Sequence, residues 1–305
     1  MTFSSPAFSW VFFAILSAVF LGVYDVAKKA SVQDNAVLVV LFGCSASGLV
    51  LLLPVAALSL SAPTWAQLHG VFIAALSWRD HVLVFAKALL VTLSWVLTFF
   101  ALKHLPISLA SPVRASAPLF TLLGAVVMFG ERPSPRQGLG IAVILLAYWV
   151  FSLIGRIEGI HFSRNAWVWS LFLGTLVGAA SGLYDKHLLQ TAHLPALAMQ
   201  FWFTTYNTLI QGLIVAFLWW PRRAQHSPFH WRWTIAAVGA LLLLSDALYF
   251  HALTMPGALV SVISTLRRTN VVLSFALGSL LFGERYRLRK SLALSGVILG
   301  IFLIL

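Results

Sequence analysis

Apolar runs about the length of a bilayer crossing follow one another through almost the whole chain, and no other feature constrains its folding as strongly. In hydrocarbon every peptide group must find its hydrogen bond within the chain, so each run folds as a helix. Turn signals and charges divide the sequence into segments near 8–30, 36–58, 82–102, 107–129, 136–154, 166–190, 196–219, 233–253, 257–282 and 288–305. The breaks carry turn chemistry, among them Gln33-Asp34-Asn35, His104-Leu105-Pro106 and Met255-Pro256-Gly257. Residues 64–78 read as an interfacial helix ahead of the third segment. The expectation is an all-α, multi-pass integral membrane protein of ten transmembrane helices.

Composition agrees. Of 305 residues 60% are hydrophobic and 9% charged, whereas a soluble domain carries about 25% charged residues. The net charge of +12 does not point to nucleic acid, because the basic residues cluster at the ends of apolar runs, as in Arg222/Arg223/Arg232 and Arg285/Arg287/Arg289/Lys290. No basic residue precedes Lys28, and the apolar run from Phe8 exceeds a usual signal-peptide core, so it reads as a retained first helix. The single cysteine, Cys44, lies within an apolar run and has no intrachain partner.

An internal repeat appears at four places in order. Gly22-Val23-Tyr24-Asp25 returns as Gly182-Leu183-Tyr184-Asp185, preceded by small residues at a spacing of four, Ala14/Ala18/Gly22 and Gly174/Gly178/Gly182. Leu93-Ser94 returns as Leu244-Ser245, and Ser111-Pro112-Val113-Arg114 as Ser264-Thr265-Leu266-Arg267. Finally Phe129-Gly130-Glu131-Arg132 returns as Phe282-Gly283-Glu284-Arg285. About five helices per repeat is an odd number, so the halves enter the membrane from opposite sides as inverted repeats. Such folds usually place the substrate near the midplane between the repeats and work by alternating access.

The two Phe-Gly-Glu-Arg turns, each followed by a short apolar helix, resemble those of EamA-type members of the drug/metabolite transporter superfamily. The resemblance covers nearly the whole chain. It implies a first EamA-like repeat over residues 1–155 and a second over 165–305, ten helices and carrier activity at the inner (plasma) membrane. The family's substrates range over amino acids, sugars, nucleotide sugars and drugs, so it names no solute. Many relatives carry Trp-Gly and a small polar residue in the first helix where this chain has Gly22-Val23-Tyr24-Asp25, and a carboxylate there suggests different coupling chemistry. The resemblance implies cytoplasmic termini, whereas the basic turns 220–232 and 285–290 imply the opposite orientation.

Ionisable side chains near the centre of a membrane helix cost roughly 2.5–3.5 kcal/mol on insertion scales and turn toward a polar interior or a partner. The paired Tyr24-Asp25 and Tyr184-Asp185 are candidates for substrate contact or proton coupling, against local pairing of Asp25 with Lys28 or Lys29. Arg114 and Arg267, the second matched pair, sit about four turns before their glutamates, inside the fourth and ninth helices. With Arg268 they suggest an anionic or zwitterionic solute, or pairing with a buried aspartate. Lys87 and Trp95 on the third helix and Asp246 and His251 on the eighth differ in kind between the halves, which points to specificity. Trp202 and Asn207 on the seventh offer stacking and hydrogen bonding, or packing between helices. Glu131 and Glu284 read as turn and cap elements.

The rival class is an intramembrane enzyme acting on a lipid-linked substrate, but the chain lacks His-Glu-x-x-His, Cys-x-x-Cys, phosphate-loop and nucleophile-elbow patterns. No metal or other cofactor is expected. The expected partners are a small-molecule substrate, a coupling proton and membrane lipids, with no nucleic acid, for a monomer or homodimer.

Overall fold

The computed structural model describes residues 6–104, 113–114, 116–154, 165–225, 227–270, 273, 277 and 287–304. Among them there is no strand. The first half holds α1 (Pro6–Val32), α2 (Val37–Ser61), the one-and-a-half-turn α3 (Pro63–Leu68), α4 (Trp78–His104), α5 (Ala117–Phe129) and α6 (Pro135–Ile154). The second holds α7 (Ala166–Lys186), α8 (Ala196–Ile214), α9 (Trp233–Thr254), α10 (Val260–Arg267) and α11 (Arg287–Ile304). Six of these helices, α1, α2, α4, α7, α8 and α9, are long and apolar enough to span a membrane, and three shorter apolar stretches lie in α5, α6 and α11. Large apolar side chains such as Val127, Leu213, Phe217 and Phe302 face outward, as a hydrocarbon solvent allows. The interfacial helix expected over 64–78 is shorter than the sequence suggested: past Gly70 the chain has no helix or strand up to α4, tied by the Ile73 N–H donating to Ser59 Oγ at 3.0 Å.

The repeat is visible in who packs on whom. α1 lies along α9 and α7 along α4; α2 meets α9 as α8 meets α4; α1 meets α10 as α7 meets α5. The remaining large contacts, α2 with α8, α5 with α10 and α6 with α11, pair each helix with its own counterpart. Exchanging the halves leaves this pattern unchanged, as a two-fold relation requires. Turns match as well, since Asp34 after α1 and His193 after α7 both take positive φ, 52° and 54°.

The small-residue stripes serve packing. A Cβ on Gly174 would stand 2.6 Å from Thr98 Oγ1 and 3.1 Å from the Ser94 carbonyl oxygen. Matched serines then stitch the crossings. Ser94 donates to the Gly174 carbonyl at 2.7 Å, and Ser245 donates to that of Ser17 at 3.0 Å. The tightest approach to backbone is that of Gly239 of α9 against α2, where an added Cβ would meet the Cys44 carbonyl oxygen at 2.4 Å and the Gly48 nitrogen at 2.9 Å. Both obstacles are backbone, so Gly239→Ala must push two helices apart. It is expected to destabilise by about 1–3 kcal/mol, the usual cost of overpacking, read as a lower thermal midpoint in mild detergent. A parent-like midpoint would show that the crossing is loose.

Candidate functional site

Between the halves lies a cavity of about 260 Å³, lined from α1, α4 and α5 of one half and α7, α8, α9 and α10 of the other. Among the described residues its wall carries five cations, Lys28, Lys87, Arg114, Arg267 and Arg268, and three carboxylates, Asp25, Asp185 and Asp246. Of the residues the sequence singles out, Tyr24, Asp25, Lys87, Trp95, Arg114, Asp185, Asp246, Arg267 and Arg268 line this cavity.

Two ion pairs stand among these charges. Lys87 of α4 and Asp185 of α7 form a buried ion pair, with the ammonium also 4.4 Å from the centroid of Phe203 and 5.0 Å from that of Phe250. Arg267 donates to Asp246 at 2.8 Å and lies over the Tyr249 ring, 4.1 Å from its centroid. Its Nε is buried without a hydrogen-bond partner. Asp25 accepts from Asn270 Nδ2 at 2.5 Å. Lys28, one turn further along α1, rests on aromatic faces, 3.8 Å from the centroid of Phe99 and 5.3 Å from that of Tyr24.

The fourth and ninth segments were expected to run as continuous helices through their arginines. Instead α10 ends at Arg267 and α5 begins only at Ala117. The same local chemistry appears at both breaks. Ser116 donates its N–H to the Val113 carbonyl at 3.2 Å and its hydroxyl to the same oxygen at 2.6 Å. Thr269, 153 residues later, does likewise to Leu266 at 3.0 and 2.7 Å. A hydroxyl that binds the carbonyl three residues back competes with the helical ladder and favours a turn. Ser116 and Thr269 each follow their arginine by two residues, a spacing that signals the break in the sequence itself. Pro112 and Glu284-Arg285 lie outside the described residues.

Glu131 is a cap, but of a helix in the other half. Two bonds set its turn: Gly130, at φ 61°, donates to the Val126 carbonyl, and the Glu131 N–H donates to that of Ala125. Ser134 and Gln137 then open α6 with reciprocal bonds of 3.0 and 3.2 Å. The carboxylate so placed accepts from the Val260 N–H (2.8 Å) and the Ser261 N–H and hydroxyl (3.2 and 2.5 Å) at the start of α10, and from Lys186 Nζ at 2.5 Å.

Four sequence candidates lie away from the cavity. Tyr184, the counterpart of Tyr24, donates to the Leu83 carbonyl at 3.3 Å. Trp202 packs edge-on to His81, centroids 4.5 Å apart. Asn207 bridges three helices, accepting from Thr92 at 2.8 Å and donating to Ser45 at 3.3 Å. His251 is exposed beside Phe13, centroids 4.7 Å apart. Lys28, Phe99 and Asn270 take their place in the wall.

Comparison with known proteins bears on the same architecture. Nothing among curated proteins matches the chain, but 28 chains of solved structures do. One of these, described only as the crystal structure of a protein, aligns with 99% of this chain and 99% of its own at a TM-score of 0.69 and 19% identity. That likeness speaks for the fold. The sequence profile of the EamA-like transporter family matches twice, over residues 8–153 and 163–305. With two matched repeats accounting for nearly all of its length, this multi-pass membrane protein belongs to the EamA-like transporter family.

Proposed function

We propose that the protein is a secondary transporter, not an enzyme, that carries a small metabolite across the inner (plasma) membrane by alternating access, with the solute held in the cavity between the halves. The observation that carries this reading is the cavity itself: buried polar and charged groups from both repeats converge on it, in a chain otherwise built to face lipid. The two segments interrupted at Ser116 and Thr269, counted with the other eight, make ten crossings in two inverted repeats, spanning residues 1–155 and 165–305. Interrupted helices at a cavity wall are how such carriers expose polar backbone at membrane depth. Lipids and a coupling proton complete the list of partners, for a monomer or homodimer.

Uptake of labelled metabolites into proteoliposomes under an imposed pH gradient tests it. Saturable flux of at least one solute is expected, and no flux across a broad panel would sink the proposal. Asp25 is the coupling carboxylate in this reading. Asp25→Asn keeps an acceptor for Asn270 and is expected to lower gradient-driven flux by about tenfold or more, whereas parent-like flux would remove Asp25 from the coupling step.

A further inference from the structure

Repeat symmetry exposes charges that one half carries alone. Arg114 and Arg267 share a register, yet only Arg267 has a carboxylate, Asp246 at 2.8 Å. In the register of Leu93-Ser94 with Leu244-Ser245, the position matching Asp246 is Trp95. The first half therefore offers Arg114 no carboxylate at that place, and among the described residues Arg114 makes no ion pair. Lys28 is in the same situation. Its counterpart 160 residues later is Leu188, its ammonium is held by the faces of Phe99 and Tyr24, and it makes no ion pair among the described residues. Asp185 is engaged by Lys87, and Asp25 accepts from Asn270.

Lys28 and Arg114 thus stand in a wall whose five cations outnumber its three carboxylates by two, and Asp25, one turn from Lys28, cannot balance both. Burying a charge away from water is unfavourable without a partner, and a low-dielectric wall strengthens any partner that arrives. A guanidinium presents paired donors that fit a carboxylate or phosphate, and an ammonium adds a point charge from the side. Trp95, Phe99 and Val91 are among the apolar residues of the same wall, suited to a short carbon skeleton.

We propose that the transported solute is a small organic anion, seated with its carboxylate or phosphate group between Lys28 and Arg114, while Arg267 is held by Asp246 as part of the wall. This rests on the carrier reading above and names its substrate class. The test is a thermal-stability titration of the purified full-length protein with succinate, inorganic phosphate, glucose and putrescine at matched ionic strength, run beside counterflow in proteoliposomes. Saturable stabilisation by succinate or phosphate is expected, weakened by about tenfold or more in Lys28→Gln and in Arg114→Gln and largely retained in Lys28→Arg. Where Lys28→Gln fails to fold, Arg114→Gln and Lys28→Arg decide the matter by the same criterion. The inference is overturned by stabilisation from glucose or putrescine alone, by anion binding of parent strength in both glutamine variants, or by the absence of any anion effect. Anion binding with no flux of any solute would uphold the site and reject the carrier, and flux of a neutral solute without anion binding would do the reverse.

Discussion

Glu131→Ala is expected to lower the thermal midpoint of the detergent-solubilised protein more than any other single change outside the cavity. The carboxylate is 5% exposed and accepts four hydrogen bonds, two from backbone N–H groups opening α10, one from the Ser261 hydroxyl and one from Lys186. Alanine leaves a buried ammonium and two buried amides without acceptors. Removing one member of a buried ion pair costs about 3–5 kcal/mol, and the orphaned helix start adds to it. Lys186→Met checks the cause. In a double-mutant cycle the two changes are expected to couple by about 1 kcal/mol or more, and strict additivity would mean that the carboxylate and ammonium act independently.

Asp185→Asn is the second large effect. The substitution removes the charge that balances Lys87, a residue 2% exposed and enclosed by Phe203 and Phe250. A loss of about 3–5 kcal/mol follows for the single variant. The combined Lys87→Met and Asp185→Leu variant is expected to recover more than half of it, because two apolar groups of similar volume need no counter-charge. Unfolding curves in detergent read both. If the single variant matched the parent in stability and lost transport, Asp185 would belong to coupling rather than to the scaffold.

The sequence expectation treated Asp25 and Asp185 alike, and the structure distinguishes them through their partners. Nothing in periodicity could have done so. Lys87 and Asp185 lie 98 residues apart on helices that are apolar on every side, because lipid and protein interior favour the same residues and the usual amphipathic stripe fades. For the same reason the faces occupied by Trp202, Asn207 and His251 were not legible, and all three lie outside the cavity. What could be read was whatever symmetry duplicates. The glycine stripes marked the close crossings of α4 with α7, and the Arg114/Arg267 pair fell on the wall of the cavity. The turn at Glu131 reads as a cap, though its target lies in the opposite half, a tertiary fact that local sequence does not contain.

The pairing of helices that survives exchange of the halves bears on the resting state of the proposed carrier. If each half takes over the other's part when access alternates, the two end states share one skeleton and would be equal in energy but for the side chains that break the symmetry. Both buried ion pairs break it. In the other half Lys87 corresponds to Val238 and Lys186 to Val26, so neither clasp can be rebuilt at those registers when the roles reverse. In the proposed carrier cycle, the conformation fastened by Lys87–Asp185 and Glu131–Lys186 is then expected to be the one in which an unloaded protein waits. Its two faces are expected to load at unequal rates even across a membrane with no gradient at all.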